Sequence, residues 1–231
     1  MYKKKKVSIV VPAYNEGKRI IPFLKDLIAF CKNANHELIV VDDGSTDDTF
    51  DVAKKLTKNF KEARVISYKP NMGKGYAVRT GVLAAKGGYV IFIDADGSTP
   101  PTEIPKMVEK LNKYDVVVGD RTSVFSKTKQ PKFRRFLEIC FYLYMNTLFR
   151  VNSQDLLCGF KGFRREAGRI LFKDLISYRW IFDVEIFYRA KKKNYSLYKL
   201  PIQWTHKPYS KLKTTDPFKM MLQALSLRMR L

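Results

Sequence analysis

Val7-Ser8-Ile9-Val10-Val11-Pro12-Ala13-Tyr14-Asn15-Glu16 decides how the rest of the chain is read. An apolar run that does not alternate predicts a strand covered on both faces, as in a parallel sheet. The run stops at Pro12, and polar residues follow. Working outward, Ile20, Phe23, Leu24, Leu27, Ile28 and Cys31 recur at helical spacing. Glu37 to Val41 reads as a second strand, ending in Asp42-Asp43-Gly44-Ser45. Thr46 or Asp47 is placed to cap a helix carrying Phe50, Ala53 and Leu56. Val65-Ile66 opens a third strand, Gly75 to Ala85 a helix, and Tyr89 to Ile93 a fourth strand ending in Asp94-Ala95-Asp96. Pro105 to Leu111 is helical, and Asp115 to Val118 is a fifth strand. Strands and helices alternating at this interval predict an α/β fold: a Rossmann-like, mostly parallel sheet flanked by crossover helices. Such sheets bind ligands beyond the carboxyl ends of their strands. The clusters at Tyr14-Asn15-Glu16, Asp42-Asp43 and Asp94-Ala95-Asp96 therefore converge on one edge.

The second half is less regular. Phe133 to Phe149 reads as an aromatic helix, and Cys158-Gly159-Phe160-Lys161-Gly162-Phe163 as a loop entering a short strand. Trp180 to Ala190 is helical, and Ser196 to Trp204 alternates like a strand. Residues 217–231 form an amphipathic basic helix in which Met220, Met221, Leu225 and Leu227 lie among Lys219, Arg228 and Arg230. No repeat or linker divides the chain. The expectation is one catalytic domain over 1–231: a half at 1–120 for a nucleotide and metal, a half at 121–215 for an acceptor, and a basic tail at 216–231.

Charge follows the same division. The net charge of the 231 residues is +22. Residues 1–120 hold 20 Lys and Arg against 15 Asp and Glu, whereas 121–231 hold 24 against 7. The excess therefore belongs to the second half and predicts an anionic surface or ligand there. A hydrophobic fraction of 45% excludes a disordered polycation. Cys31, Cys140 and Cys158 are too scattered for a disulfide framework or a CxxC metal site. The short apolar run after Lys3 to Lys6 predicts no signal peptide, and Ile139 to Phe149 is too short to span a bilayer. His36 and His206 have no zinc-like spacing and receive no catalytic role.

Two carboxylates two residues apart at a strand end suit a divalent cation whose other sites are filled by phosphate oxygens. Alone, Asp94-Ala95-Asp96 reads more simply as a capped turn; Asp42-Asp43 at a second strand end turns the balance. Gly73-Lys74-Gly75 lacks the third glycine of a dinucleotide-binding turn, and no P-loop occurs. Gly97 comes too early for a calcium-binding EF-hand loop. Asp94-Ala95-Asp96-Gly97-Ser98 also resembles an aspartate-nucleophile phosphatase signature, but in those enzymes the motif lies near the N-terminus and the metal-binding acids follow it. No nucleic-acid-binding motif accompanies the basic residues, so a nucleic-acid partner is not expected.

Together, Val7 to Glu16, Val40 to Asp47, Asn71-Met72-Gly73-Lys74-Gly75 and Asp94 to Gly97 resemble a family 2 glycosyltransferase of GT-A fold. Gly119-Asp120-Arg121, Asp155 to Lys161 and Trp180 to Glu185 are similar to its polyprenyl-phosphate branch, which includes dolichyl-phosphate β-glucosyl- and mannosyltransferases. The resemblance runs from about Val7 to about Leu212. It implies that Pro12, Tyr14, Glu16, Asp42, Asp43, Lys74 and Asp94 bind the nucleotide, and that Asp94 and Asp96 hold Mg²⁺ or Mn²⁺. It implies phosphate or acceptor contacts from Arg121, Arg134, Arg135, Gln154, Asp155, Ser210 and Lys211. Asp183, Arg121 and Lys211 become the catalytic candidates, with Glu185 a weaker companion of Asp183. Tyr209 stands where most relatives have glycine. Gly97-Ser98-Thr99 looks closer to the glucosyl branch and favours UDP-glucose over GDP-mannose.

The implied reaction is a single inverting displacement by a polyprenyl or dolichyl phosphate on a UDP- or GDP-hexose. A phosphate monoester is largely dianionic at neutral pH, its second pKa being about 6, so no strong base is required. The implied location is peripheral, on the cytoplasmic face of an anionic membrane, through the basic helices. The same helices could instead pack on the core. A GDP-mannose-dependent dolichyl-phosphate mannosyltransferase and a soluble family 2 transferase acting on a glycan hydroxyl are the alternatives.

Overall fold

The structure is a computed structural model. It describes residues 6–129, 132–151, 155, 157–207 and 216–231, with backbone alone for 127–129, 132–138 and 216–218. The strands are β1 (Val7–Ala13), β2 (Glu37–Asp42), β3 (Ala63–Ser67), β4 (Tyr89–Ile93), β5 (Val116–Asp120), β6 (Lys127–Lys129), β7 (Phe160–Arg164), β8 (Leu197–Pro201) and β9 (Gln203–Thr205). The helices are α1 (Gly17–Ala34), α2 (Thr49–Thr57), α3 (Lys74–Ala84), α4 (Ile104–Leu111), α5 (Lys132–Phe149), α6 (Arg165–Lys173), α7 (Phe182–Lys192) and α8 (Asp216–Arg230).

Seven strands form one sheet in the order β3-β2-β1-β4-β7-β5-β8. All neighbours pair in parallel except β7, which runs antiparallel between β4 and β5. The mostly parallel sheet is thus as the alternation predicts, and β7 is the departure. Beyond it, β6 and β9 make a separate parallel pair. The stretch expected as one strand from Ser196 to Trp204 is broken at Ile202, so β8 and β9 serve different sheets.

Every residue of β1 is buried, and its alternate side chains feed two cores. Val7, Ile9 and Val11 join Ile20, Leu24 and Leu27 of α1 and Ile104, Met107 and Leu111 of α4. Val10 joins Val78 and Val82 of α3, Phe172 of α6 and Phe182 of α7 on the opposite face. Each such fully buried side chain contributes about 1.5–3 kcal/mol. Both cores are needed because a parallel strand has no solvent face.

The chain leaves β1 toward β2 and β3, then returns across α3 to lay β4 on the other side of β1. That reversal opens a crevice beyond the carboxyl ends of β1 and β4. Tyr14-Asn15-Glu16 and Asp94-Ala95-Asp96 flank it.

Helices α5 and α8 both pack on the α3 side. Met145 and Phe149 of α5 and Met220, Ala224 and Leu227 of α8 are buried in that core. The helices also bind each other: the Tyr144 hydroxyl donates to the Met221 carbonyl at 3.0 Å, and Arg228 Nε donates to the Leu148 carbonyl at 3.0 Å. Ile139, Leu143, Leu222, Leu225 and Met229 remain exposed. Core packing and outward apolar exposure, posed as alternatives by the sequence, coexist on different faces. Among the described residues, no helix is long and apolar enough to cross a membrane.

Candidate functional site

The strand ends position the site. In β1 and β2, Ala13 pairs with Asp42, and the Asp43 amide donates to the Ala13 carbonyl at 2.8 Å. The loop after β1 is then tied to the loop after β2. The Asn15 amide donates to Ser45 Oγ at 2.9 Å, the Thr46 amide to Asn15 Oδ1 at 2.8 Å, and the Glu16 amide to Thr49 Oγ1 at 2.7 Å. The expected helix cap moves accordingly. Thr46 bonds across to Asn15, and the residue before α2 is Asp48, whose side chain makes no cap bond; Asp47, one residue earlier, takes the Thr49 amide at 3.0 Å. Tyr14 is 36% exposed at the crevice, and Pro12 continues β1 opposite Val41.

The two adjacent acids serve different loops. Asp42 accepts from the Ser45 amide and the Ser67 hydroxyl. Asp43 accepts from the Tyr68 hydroxyl at 2.9 Å, Asn71 Nδ2 at 2.7 Å, and the Met72 and Gly73 amides at 2.9 Å each. Its carboxylate lone pairs are largely committed to folding the Asn71–Gly73 turn. Burial pushes the Asp43 carboxyl up, against the Met72 amide and the Tyr68 hydroxyl, which favour its charge. Gly73 has φ of 104°, and a Cβ there would lie 2.5 Å from the Tyr178 carbonyl oxygen. The turn delivers Lys74, the first residue of α3, to the acids that end β4.

Lys74 Nζ lies 2.6 Å from Asp94 Oδ1. Burial works against its charge, but Asp94 and Asp183 outweigh it and raise the Lys74 pKa above the ordinary lysine value. The Asp94 amide donates to the Gly159 carbonyl at 3.0 Å. A Cβ on Gly159 would fall 1.8 Å from Asp94 Oδ2, so glycine at 159 keeps the space beside that carboxylate. Asp96 Oδ1 accepts the Ser98 amide at 2.9 Å.

This donor set fits a divalent cation. Two hard carboxylates stand two residues apart at a strand end, with space kept by Gly159 beside Asp94 Oδ2, while the Lys74 ammonium takes Oδ1. No group of three or more His, Cys, Asp or Glu ligands occurs among the described residues, so diphosphate oxygens and water would complete the shell.

Asp183 comes from the first turn of α7, where the helix dipole favours a carboxylate. It is 3% exposed, and its Oδ1 lies 2.8 Å from Lys161 Nζ. Burial raises its pKa; Lys161 and Lys74 oppose that shift without cancelling it. Glu185 faces elsewhere, and the expected acidic pair divides. Its carboxylate takes the Ile176 and Ser177 amides and Arg189 Nε, so it holds the turn before α7.

At the end of β5, Arg121 and Asp155 form a fork: Nε to Oδ2 at 2.9 Å and Nη2 to Oδ1 at 2.6 Å. The guanidinium lies over the Trp204 ring, 5.1 Å from its centroid. Arg134 and Arg135 lie on α5, with their side chains outside the description. Gln154, Tyr209, Ser210 and Lys211 lie outside the described residues. The sequence reading missed Lys161, which is 1% exposed beneath the site. Its signal was a lysine inside the otherwise buried run Phe160 to Phe163.

Residues 8–171 match the model of the Glycosyl transferase family 2 family. The chain belongs to this family of glycosyltransferases. It is 35% identical to the dolichyl-phosphate beta-glucosyltransferase of Dictyostelium discoideum, over 94% of this chain and 71% of that protein. The Saccharomyces cerevisiae protein of the same name is 34% identical, over 96% of this chain and 74% of its own length. The Homo sapiens one is 32% identical, over 90% and 70%. The family fold recurs in solved structures. The glucosyl-3-phosphoglycerate synthase of M. tuberculosis superposes with a TM-score of 0.73 at 22% identity, covering 97% of this chain and 80% of that one. That enzyme in complex with Mg²⁺ and uridine diphosphate superposes with a TM-score of 0.71 at 21% identity, covering 97% and 79%. The family 2 assignment and GT-A fold implied by the motifs are thus borne out.

Proposed function

We propose that this glycosyltransferase moves glucose from UDP-glucose to dolichyl phosphate or a related polyprenyl phosphate, inverting the anomeric carbon. The observation that carries the reading is the joining of Lys74, Asp94, Asp96 and Asp183 at one strand edge, in a chain whose 32–35% identical relatives are dolichyl-phosphate beta-glucosyltransferases.

Pro12, Tyr14 and Glu16 line the nucleotide side of the crevice. Asp42 and Asp43 shape that pocket chiefly by holding its loops. Asp94 and Asp96 would hold Mg²⁺ or Mn²⁺, which supplies Lewis-acid neutralisation of the leaving diphosphate. Lys74 already stands at Asp94 and can offer its ammonium to the same phosphate oxygens. Asp183 orients the sugar hydroxyls as an anion. Arg121, aimed by Asp155 and Trp204, faces the incoming phosphate; its planar fork suits phosphate oxygens better than an ammonium would. Arg134, Arg135, Gln154, Ser210 and Lys211 extend that phosphate-binding side in the family pattern. The acceptor phosphate carries its own negative charge, so Asp183 needs to take no proton.

The lipid tail assigns a role to the outer faces of α5 and α8. Ile139, Leu143, Leu222, Leu225 and Met229 enter the interface of an anionic bilayer, with Lys219, Arg228 and Arg230 beside them. The protein then sits peripherally on the cytoplasmic face, where nucleotide sugars are supplied.

Thermal-shift titration with UDP, UDP-glucose, GDP and GDP-mannose, each with Mn²⁺, tests the donor. Stabilisation by the uridine pair alone is expected; stabilisation by the guanosine pair alone would replace glucose transfer with mannose transfer.

A further inference from the structure

Lys161 enters the core from β7, the antiparallel strand that interrupts the parallel order. It pairs with Phe92 on one side and Val118 on the other. Its ammonium runs between the rings of Phe92 and Phe187, 5.5 and 5.7 Å from their centroids. At its end it forms an ion pair with Asp183 Oδ1 at 2.8 Å and donates to the Cys158 carbonyl. A buried ion pair is a poor way to gain stability, because desolving both charges offsets most of their attraction. Apolar side chains would fill this layer between phenylalanines at least as well.

What the lysine adds is position. Asp183 lies in the field of both Lys161 and Lys74, and Lys74 is paired to Asp94. Charges therefore alternate from the core to the edge: Lys161, Asp183, Lys74, Asp94. The carbonyl that Lys161 also takes belongs to Cys158, beside Gly159, and Gly159 lies against the Asp94 carboxylate and accepts its amide. One ammonium thus ties the sugar-facing acid to the loop that walls the diphosphate-facing acid.

We infer that Lys161 is a positioning residue for the transfer reaction, fixing Asp183 and the Cys158–Gly159 loop relative to Asp94. It touches neither substrate and acts through these two partners. The inference deepens the function proposed above and rests on that reading.

The test is Lys161→Met in the full chain, assayed with UDP-glucose, Mn²⁺ and dolichyl phosphate in detergent micelles below its measured Tm. A displacement of reacting groups by about 1 Å costs on the order of 100-fold, so kcat should fall by about that factor while donor KM stays within about threefold. Wild-type kcat in folded Lys161→Met overturns the inference, as does a loss that merely tracks the fraction folded. Should that variant not fold, Lys161→Arg decides. It keeps the charge but moves it, and kcat should fall about tenfold at unchanged donor KM; wild-type kcat there overturns the inference. Absence of transfer in the wild-type chain would instead break the functional reading, which the unmutated control reports separately.

Discussion

At the carboxyl edge of the sheet, charges stand in pairs. Lys74 meets Asp94, Lys161 meets Asp183, and Arg121 meets Asp155, at separations of 2.6–2.8 Å. On the outer faces of α5 and α8 the pattern is the reverse. Leu143, Leu222 and Met229 are exposed, and Lys219 and Arg230 stand beside them in exposed positions without a carboxylate partner among the described residues. The difference teaches where each surface expects its complement. Paired charges in low dielectric hold a fixed geometry and suit chemistry on a small, highly charged donor. Apolar side chains among unpaired cations suit a broad anionic, partly apolar surface, for which no single geometry is needed. Residues 121–231, which include both helices, hold 24 Lys and Arg against 7 Asp and Glu and so most of the net charge of +22.

Breaking the paired edge should have the largest effects. Asp96→Asn removes one of two carboxylates proposed for the cation, and transfer should fall by at least about 1,000-fold with Tm little changed. Assays with and without chelator, beside circular dichroism, check this. Gly159→Ala would drive a methyl into Asp94. A loss of about 100-fold in kcat is expected, with metal titration showing weakened activation.

The pH profile sharpens the same comparison. Burial holds the Asp183 carboxyl above the ordinary range, with Lys161 and Lys74 pulling the other way. Its raised folded pKa means the anion proposed to orient the sugar is lost as pH falls through a value higher than the usual aspartate figure of about 3.9. The acid limb of kcat should therefore lie above that figure. A flat profile down to it would remove Asp183 from the reaction.

The smallest effects are expected on the outer face. Leu222→Ser with Leu225→Ser should release the protein from anionic vesicles while moving Tm little, since surface substitutions usually change stability by about 0.5 kcal/mol or less. Raising salt should weaken vesicle binding in the parent chain as well. Co-sedimentation measures both; binding that survives both changes would detach α5 and α8 from the membrane.

Much of this division is legible in the sequence. Continuous apolar runs such as Val7 to Val11 announce strands buried on both faces, and the strand-end acids fall where a parallel sheet binds ligands. Two features were not legible, for physical reasons, and a third left only a lysine inside an apolar run as its sign. The antiparallel direction of β7 depends on a long-range pairing with Tyr89 to Ile93 that no local pattern encodes. The separation of Asp183 from Glu185 depends on which helix face meets the turn at Ile176 and Ser177. Lys161 reads as an exposed residue by type, and its burial follows from a partner 22 residues later that the fold brings to 2.8 Å.

The central claim is that the paired edge activates a uridine diphosphate sugar for attack by a lipid phosphate whose tail lies on the membrane-facing side of α5 and α8. Incubating the purified chain with UDP-glucose labelled in glucose, dolichyl phosphate and Mn²⁺, then determining the anomeric configuration of any extracted lipid, tests it most directly. The account predicts label in the lipid phase as a β-linked glucosyl phosphate, dependent on the metal and absent with Asp96→Asn. Label transferred to a sugar hydroxyl instead, or an α-linked lipid product, would contradict it.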